Sequence, residues 1–245
     1  MTWWEAVLLV VGGTFAGGIN VIAGGGSTLT VPLLVLAGVP GNSANGSNRI
    51  GVLTSNAAAT GSFRRLGVDG LASAVPILIP VVFGSLTGSL AISRLTDEAF
   101  ETTFGLVMIP LIILSIRKPK FRTDAARWSR PVTIAVFFGI GVYGGAVQAG
   151  VGLVLLAALS RAGFDLVLAN SVKVIIILAM TVVALPVFIV QGKVDWIPAL
   201  ILAAGFTLGG WLGAHVAVRG GEKLIRVVMV LASVALAAKL LGAFG

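Results

Sequence analysis

Ten apolar stretches alternate with short polar breaks along the chain, and they predict ten membrane-embedded segments. Their approximate limits are residues 6–22, 29–39, 50–63, 71–92, 100–116, 132–147, 151–159, 172–190, 197–216 and 224–241. The runs are continuous rather than alternating, which favours helices over a closed barrel as the structure that satisfies backbone hydrogen bonds in lipid. The second and seventh stretches are too short to cross a hydrocarbon core of about 30 Å. Because each follows a glycine cluster, we expect a broken or re-entrant helix in each half.

The composition strengthens the membrane interpretation. Of 245 residues, 57% are hydrophobic and only 11% are charged, and the mean hydropathy is +1.06, whereas a soluble domain carries about 25% charged residues. This balance excludes a soluble enzyme or a nucleic-acid-binding protein and makes the lipid bilayer the expected surroundings. The net charge of +8 is assigned to loops that orient the protein. With no cysteine and a single histidine, neither a metal site nor a cofactor is expected.

A basic segment divides the chain into two halves. Six Lys or Arg residues fall within 117–130, the longest polar stretch, and the positive-inside rule places this segment in the cytoplasm. We therefore predict an N-terminal transmembrane repeat over 1–116, a basic cytoplasmic linker over 117–130 and a C-terminal transmembrane repeat over 131–245.

Short motifs recur in the same order in both halves. They are a glycine cluster, a Ser-x-cation element and a Val-Asp turn. The matching pairs are 23–26 with 149–152 at an offset of 126, 47–49 with 171–173 at an offset of 124, and 68–69 with 194–195 at an offset of 126. This recurrence predicts homologous repeats. In each repeat, a polar turn should follow the short segment, and a cation should stand at the start of the next helix.

The orientation of the two repeats depends on whether the short segments cross the membrane. If they cross, each half has five crossings, the halves are inverted, and 12 of the 17 Lys and Arg residues are cytoplasmic. If they do not, each half has four crossings, the halves are parallel, and the cytoplasmic total is 10. The positive-inside rule favours the inverted arrangement, which also predicts that both termini face outward. The expected fold is an all-α polytopic membrane protein built from two inverted repeats.

Two cations and the glycine clusters form the predicted substrate site. Arg49 and Lys173 each follow a short segment, so inverted repeats would bring one in from each side of the membrane. The spans offer no acidic partner apart from Glu5 near the chain start, which indicates a bound anion as the counter-charge. The alternative is that both cations snorkel to the interface. The other candidate ligands are Asn20, Gly24, Gly25, Gly26, Ser27, Asn48, Gln148, Gly150 and Gly152.

The first glycine-rich region resembles the signature of a known family. Gly-Gly-Ile-Asn-Val-Ile-Ala-Gly-Gly-Gly-Ser at 17–27, followed by Thr-Val-Pro at 30–32, is similar to the sulfite exporter TauE/SafE family. Ser-Asn-Arg at 47–49 resembles that family's Thr-Asn-Lys element, with arginine in place of lysine, and 169–173 and 192–196 resemble its later stretches. The resemblance implies a secondary transporter of the bacterial cytoplasmic membrane that moves sulfur-containing anions such as sulfite, sulfonates and thiosulfate.

The expected function is transport of a small anion, a sulfur-containing oxyanion or an organosulfonate, by alternating access around a midplane site. An anion channel or a uniporter for another small anion is the alternative. An intramembrane enzyme would need a nucleophile with a base, or a metal set, and the spans offer neither. A purely structural membrane protein would leave the paired cations unexplained.

The coupling ion and the oligomeric state stay open at this point, although a homodimer is possible. Proton relays in membranes usually use acids or histidine, and this chain has few of either within its spans. There are three alternatives to proton coupling. The first is coupling to sodium, which amide, hydroxyl and carbonyl oxygens would bind, and the others are uniport and exchange.

Overall fold

The structure is a computed structural model that describes residues 1–116 and 128–240, and within these ranges it contains helices and no strands. The helices are α1 Trp3–Ile22, α2 Ser27–Leu36, α3 Gly41–Arg65, α4 Leu71–Ile92, α5 Asp97–Ile116, α6 Arg130–Ala146, α7 Val151–Arg161, α8 Leu166–Val190 and α9 Trp196–Leu240. Among the described residues, four helical segments are long and apolar enough to cross a membrane: α1, α4, α8 and the first part of α9, Trp196–Gly220. The predicted all-helical membrane architecture is confirmed.

The two short segments are present as short helices. Helix α2 has 10 residues and α7 has 11, in place of the predicted 29–39 and 151–159. Each starts directly after a glycine, Gly26 and Gly150 respectively. At about 1.5 Å per residue, neither helix by itself is long enough to span the hydrocarbon core. The prediction of a short helix in each half is therefore correct.

The predicted break between the last two spans is wrong. Helix α9 continues through residues 217–223 without interruption and is 45 residues long. This stretch contains no proline, its charged residues are good helix formers, and an interior glycine costs only about 1 kcal/mol. The described part of the second half consequently holds four helices, whereas the first half holds five.

The predicted polar turn before Arg49 is also wrong, because these residues form the first two turns of α3. Gly and Asn favour turns locally, but here main-chain oxygens from other parts of the chain accept hydrogen bonds from Asn side chains. The Asn42 amide donates to the main-chain oxygens of Ile92 and Leu95. Arg49 is thus the ninth residue of α3, and Lys173 is the eighth of α8. Neither cation stands at the start of a helix as predicted.

Residues 117–127, most of the predicted basic linker, lie outside the described residues. The cytoplasmic placement of that linker stays a prediction, and so do the outward-facing termini.

Helices of the two halves pack against each other at crossings that are lined by glycine. Helix α1 packs against α9, where a Cβ on Gly17 would meet the backbone of Phe206. Helix α4 packs against α6, where a Cβ on Gly84 would meet the backbone of Phe138. Small residues allow this close backbone approach, which is the usual basis of helix association in lipid. Helix α3 packs against α9, α4 packs against α8, and α3 and α8 pack against each other, so these two largely buried helices lie at the centre.

Candidate functional site

Arg49 is fully buried and binds the carboxyl end of α6. Its Nη1 donates to the Gly144 oxygen (3.3 Å), and its Nη2 donates to the oxygens of Gly145 (2.5 Å) and Ala146 (3.1 Å). The guanidinium also lies 4.4 Å from the centre of the Phe188 ring. The last carbonyls of a helix carry partial negative charge, equivalent to about half an electron. The cation therefore has a partial counter-charge but no carboxylate.

Lys173 is likewise fully buried and binds the carboxyl end of α1. Its Nζ donates to the oxygens of Asn20 (3.0 Å) and Val21 (2.5 Å), and to Oδ1 of Asn170 (2.6 Å). The Asn170 amide in turn donates to the Ile22 oxygen (3.2 Å). We call Lys173 with Asn170 the Lys173 clamp, since together they hold three consecutive carbonyls of α1.

A matching arrangement exists at α6, where the Asn45 amide donates to the Ala146 oxygen (2.8 Å) beside the guanidinium. We call Arg49 with Asn45 the Arg49 clamp. The 124-position offset that relates Arg49 to Lys173 also relates the three α6 carbonyls, 144–146, to the three α1 carbonyls, 20–22. Each half thus supplies the clamp for the other half's broken helix.

Two glycine turns meet between the clamps. Gly24 has φ +85°, and Gly150, which precedes α7, has φ +71°, a left-handed conformation that glycine adopts without steric cost. The backbones of Gly24 and Gly152 touch, because a Cβ on either residue would overlap the main chain of the other. Gly26 packs on the main chain of Ala16, whereas Gly25 faces open space. The structure therefore joins the two predicted clusters at Gly24 and Gly152.

The predicted amide ligands are buried and only partly hydrogen-bonded. Asn48 Oδ1 accepts from the Thr30 hydroxyl of α2 (2.6 Å), but Asn48 Nδ2 has no partner. Asn20 Nδ2 and Arg49 Nε are also buried donors without a partner. Gln148, the described non-glycine residue with positive φ (+62°), donates to the Thr181 hydroxyl (2.8 Å). Ser27 is buried in the first turn of α2.

Sequence reasoning missed Asn170 of the Lys173 clamp and the role of two serines. The Ser47 hydroxyl accepts from the Asp195 N–H (2.8 Å) and donates to the Asp195 oxygen (3.3 Å). The Ser171 hydroxyl accepts from the Gly70 N–H and donates to the Val68 oxygen, both at 3.0 Å. Each serine thus fastens the Val-Asp turn of the opposite half. The sequence did contain a signal for both serines, because each one begins the repeated Ser-x-cation element.

The surroundings of the clamps carry positive charge without acidic compensation. Among the described residues, no Asp or Glu is buried, and no group of three potential metal ligands occurs. A groove of about 610 Å³ on α9, lined by Trp211, His215 and Arg219 among others, contains none of the predicted site residues. The centre of the molecule, where the clamps meet the glycine turns, is therefore the candidate site.

Similarity to known proteins assigns the chain to a family. A family model described as sulfite exporter TauE/SafE matches residues 9–240. A probable membrane transporter protein, ORF9, from a Sinorhizobium species is 29% identical over 95% of this chain and 91% of the relative. The probable membrane transporter protein YfcA of Escherichia coli K12 is 28% identical over 92% and 86% of the two chains, respectively.

A probable membrane transporter protein of Haemophilus influenzae is 28% identical over 96% of this chain and 93% of the relative. No solved structure matches the chain. The resemblance found in the glycine-rich region is confirmed over nearly the whole sequence. The protein is a multi-pass membrane transporter and belongs to the sulfite exporter TauE/SafE family.

Proposed function

We propose that the protein is a secondary transporter of the bacterial cytoplasmic membrane that moves a small sulfur-containing oxyanion or organosulfonate, such as sulfite, by alternating access. One observation carries the proposal. Arg49 and Lys173 are both fully buried, and every hydrogen-bond partner described for them is a neutral oxygen.

The charge balance favours an anion as the substrate. A charged group inside a membrane is expensive and usually marks a functional site. Two cations bring a charge of +2, and two helix carboxyl ends compensate about half an electron each, which leaves an excess of about +1. A sulfonate or a sulfur oxyanion carries the one or two negative charges that would neutralise this excess.

Unpartnered donors near the glycine turn fit the oxygens of such an anion. Asn20 Nδ2 and Asn48 Nδ2 are buried without a partner, and both residues border α2. Asn20 lies directly beside Gly26, because a Cβ on Gly26 would be 2.6 Å from the Asn20 Cβ. The first N–H groups of a helix have no acceptor within it and attract anions. We therefore propose Asn20, Asn48, Ser27 and residues 24–26 as the first-half ligands.

The second-half ligands are proposed from the corresponding turn. Gly150 precedes α7 and Gly152 is its second residue, as Gly26 precedes α2, and Gln148, whose Nε2 donates to the Thr181 hydroxyl, lies just before them. The exchange of clamps between the halves supports a two-fold relation between the repeats, and the inverted orientation is proposed from the distribution of Lys and Arg along the chain. In alternating access, the site opens to one side of the membrane at a time, and the touching glycine turns are the contact that would separate and reform.

Transport by purified protein in proteoliposomes tests the proposal. We expect saturable uptake of radiolabelled thiosulfate, with competition by sulfite and sulfoacetate and none by chloride. The Arg49→Ala/Lys173→Ala double variant should lose uptake. Arg65→Ala is the matched control, since Arg65 is exposed on the same helix as Arg49, and it should behave like the wild type.

Two outcomes would overturn the proposal. Full uptake by the double variant would mean that the cations do not hold the substrate. Uptake that rises linearly with concentration would indicate a channel instead of a transporter. Because the double variant can fail to fold, Asn48→Ala is a second test. This variant leaves both clamps intact and should raise KM for thiosulfate by about tenfold, the effect of losing about 1.4 kcal/mol of binding.

A further inference from the structure

We propose that Lys173 is the proton-binding site that couples transport, so that about one proton moves together with each anion. This inference rests on the proposed anion transport and deepens it, because it assigns the coupling ion. Neither the family match nor the names of the relatives state a coupling ion.

The first observation is a difference between two otherwise matching positions. The clamp of the first half contains an arginine, and the clamp of the second half contains a lysine. A guanidinium remains protonated in proteins, whereas a lysine amine can release its proton. Arg49 therefore provides a permanent charge, and Lys173 provides a charge that can be switched off.

The second observation is the hydrogen bonding of Lys173. Its Nζ has three acceptors, and an ammonium has three N–H groups, whereas a neutral amine has two. The geometry therefore describes the protonated form. Two of the three acceptors, the oxygens of Asn20 and Val21, belong to α1 of the other half. Only Asn170 belongs to the same helix as Lys173.

Movement of the α1 end would remove two of the three acceptors at once. A buried ammonium with one neutral acceptor is costly. Two events relieve that cost: an anion takes the place of the carbonyls, or the proton passes from Nζ to water that enters the opened site. Once the α1 end has moved, the protonated lysine is thus stable with the anion bound, and the neutral lysine is stable without it. Anion and proton therefore favour each other's binding, which is the linkage that symport requires.

No described neighbour offers an alternative proton site at this position. Helix α4 has no titratable residue. Where the structure describes side chains, the titratable or charged residues on the other helices packed against α8 are Glu5 on α1, Arg49, Arg64 and Arg65 on α3, Arg130 and Tyr143 on α6, Arg161 on α7, and His215, Arg219 and Lys223 on α9.

None of these residues shares a hydrogen bond with Lys173. Glu5 lies in the first turn of α1, at the opposite end from the carbonyls that Lys173 binds. The Tyr143 hydroxyl donates to the Ala149 oxygen, and the His215 ring contacts the Trp211 oxygen. Within the described part of the chain, Lys173 is thus the buried amine that can change its charge at the meeting point of the halves.

The experiment measures proton and anion movement in the same proteoliposomes, with a pH-sensitive dye in the lumen. Thiosulfate and sulfoacetate are the probes, because each ion keeps at least one negative charge near neutral pH and therefore does not carry protons through lipid unaided. With the wild type, an inward anion gradient should acidify the lumen by about one proton per anion. Lys173→Arg keeps the charge permanently, so the number of protons moved per anion should fall to nearly zero, whatever the remaining rate of anion movement.

Lys193→Arg is the matched control. Lys193 is a partly exposed lysine that pairs with Asp97 at 3.9 Å, and its replacement should leave proton movement unchanged. If Lys173→Arg does not fold, proton uptake on thiosulfate binding to the detergent-solubilised wild type is the second measurement. Lys173→Gln should abolish that proton uptake.

The outcomes separate this inference from the proposed function. Anion uptake by the wild type without proton movement overturns the coupling alone, and so does proton movement that persists in Lys173→Arg or Lys173→Gln. A wild type that transports none of the sulfur anions overturns the proposed function and this inference with it.

Discussion

Adding one methyl group at Gly152 should destabilise the protein, because the two glycine turns touch there. A Cβ on Gly152 would overlap the main chain of Gly24. The obstructing atoms belong to the backbone, so no side-chain rotation relieves the overlap. Gly25, the residue after Gly24, provides a matched control, since a Cβ there meets nothing within 4 Å and its φ is not in the left-handed region.

The magnitudes follow from the geometry. Overpacking a tight contact costs about 1–3 kcal/mol, which is the expected effect of Gly152→Ala. Gly24→Ala adds about 1–2 kcal/mol, because alanine would have to adopt a left-handed conformation at φ +85°. Gly25→Ala should be neutral or stabilising by up to about 1 kcal/mol, since alanine restricts the unfolded chain.

Thermal unfolding of the detergent-solubilised protein measures these differences. At about 2–4 °C per kcal/mol for a chain of this length, Gly152→Ala should lower Tm by roughly 2–12 °C, and Gly24→Ala should lower it further. The reasoning is refuted if Gly152→Ala leaves Tm unchanged, because the turns would then not be in contact. Equal decreases in Tm for Gly25→Ala and Gly152→Ala would also refute it, since the contact between the turns would then not explain the loss of stability.

Two further substitutions test the contacts that join the halves, with Tm as the measurement. Asn170→Ala removes an acceptor from the Lys173 ammonium and a donor from the end of α1, so it should cost about 2–3 kcal/mol; an unchanged Tm would mean that the clamp contributes nothing. Ser47→Ala loses both hydrogen bonds to Asp195 and should lower the free energy of unfolding by about 1–3 kcal/mol. Ser62→Ala is the control on the same helix, because the Ser62 hydroxyl bonds only within its own helical turn, and it should change the free energy of unfolding by no more than about 0.5 kcal/mol. A larger loss for Ser62→Ala than for Ser47→Ala would contradict the role given to that serine.

The sequence predicted those parts of the fold that depend on apolar length and on glycine. The short helices α2 and α7 were expected because their apolar runs are brief and follow glycine clusters, and their helix bounds agree with the prediction to within a few residues. The start of α3 was not predicted, because Gly, Asn and Ser favour turns when only near neighbours are considered. Its helical form depends on acceptors from α4 and α6, as with Asn42 and Asn45, which no local pattern reveals.

The candidate site was predicted in its residues but not in its contacts. Arg49 and Lys173 stood out as cations within apolar surroundings, and both are buried as expected for functional cations. Apart from Asn170 Oδ1, their hydrogen-bond partners are main-chain oxygens from 95 to 153 positions away. A backbone carbonyl has no residue-type signature, so the identity of such a partner cannot be inferred from composition or spacing. The hydrogen bond from Asn170 to the end of α1 was missed for the same reason.

The exchange of clamps between the halves also fixes an order of events during synthesis. The end of α1 enters the membrane long before Lys173 exists, and Arg49 enters before the end of α6. Arg49 is separated from its target by 95 positions and Lys173 by 153, so at about 5–20 residues per second the intervals are about 5–19 s and about 8–31 s, respectively. During these intervals the nascent first half contains a buried arginine and an uncapped helix end, and neither half can mature alone. A chain truncated after its first half is therefore expected to be a target for membrane quality control, not a stable smaller protein.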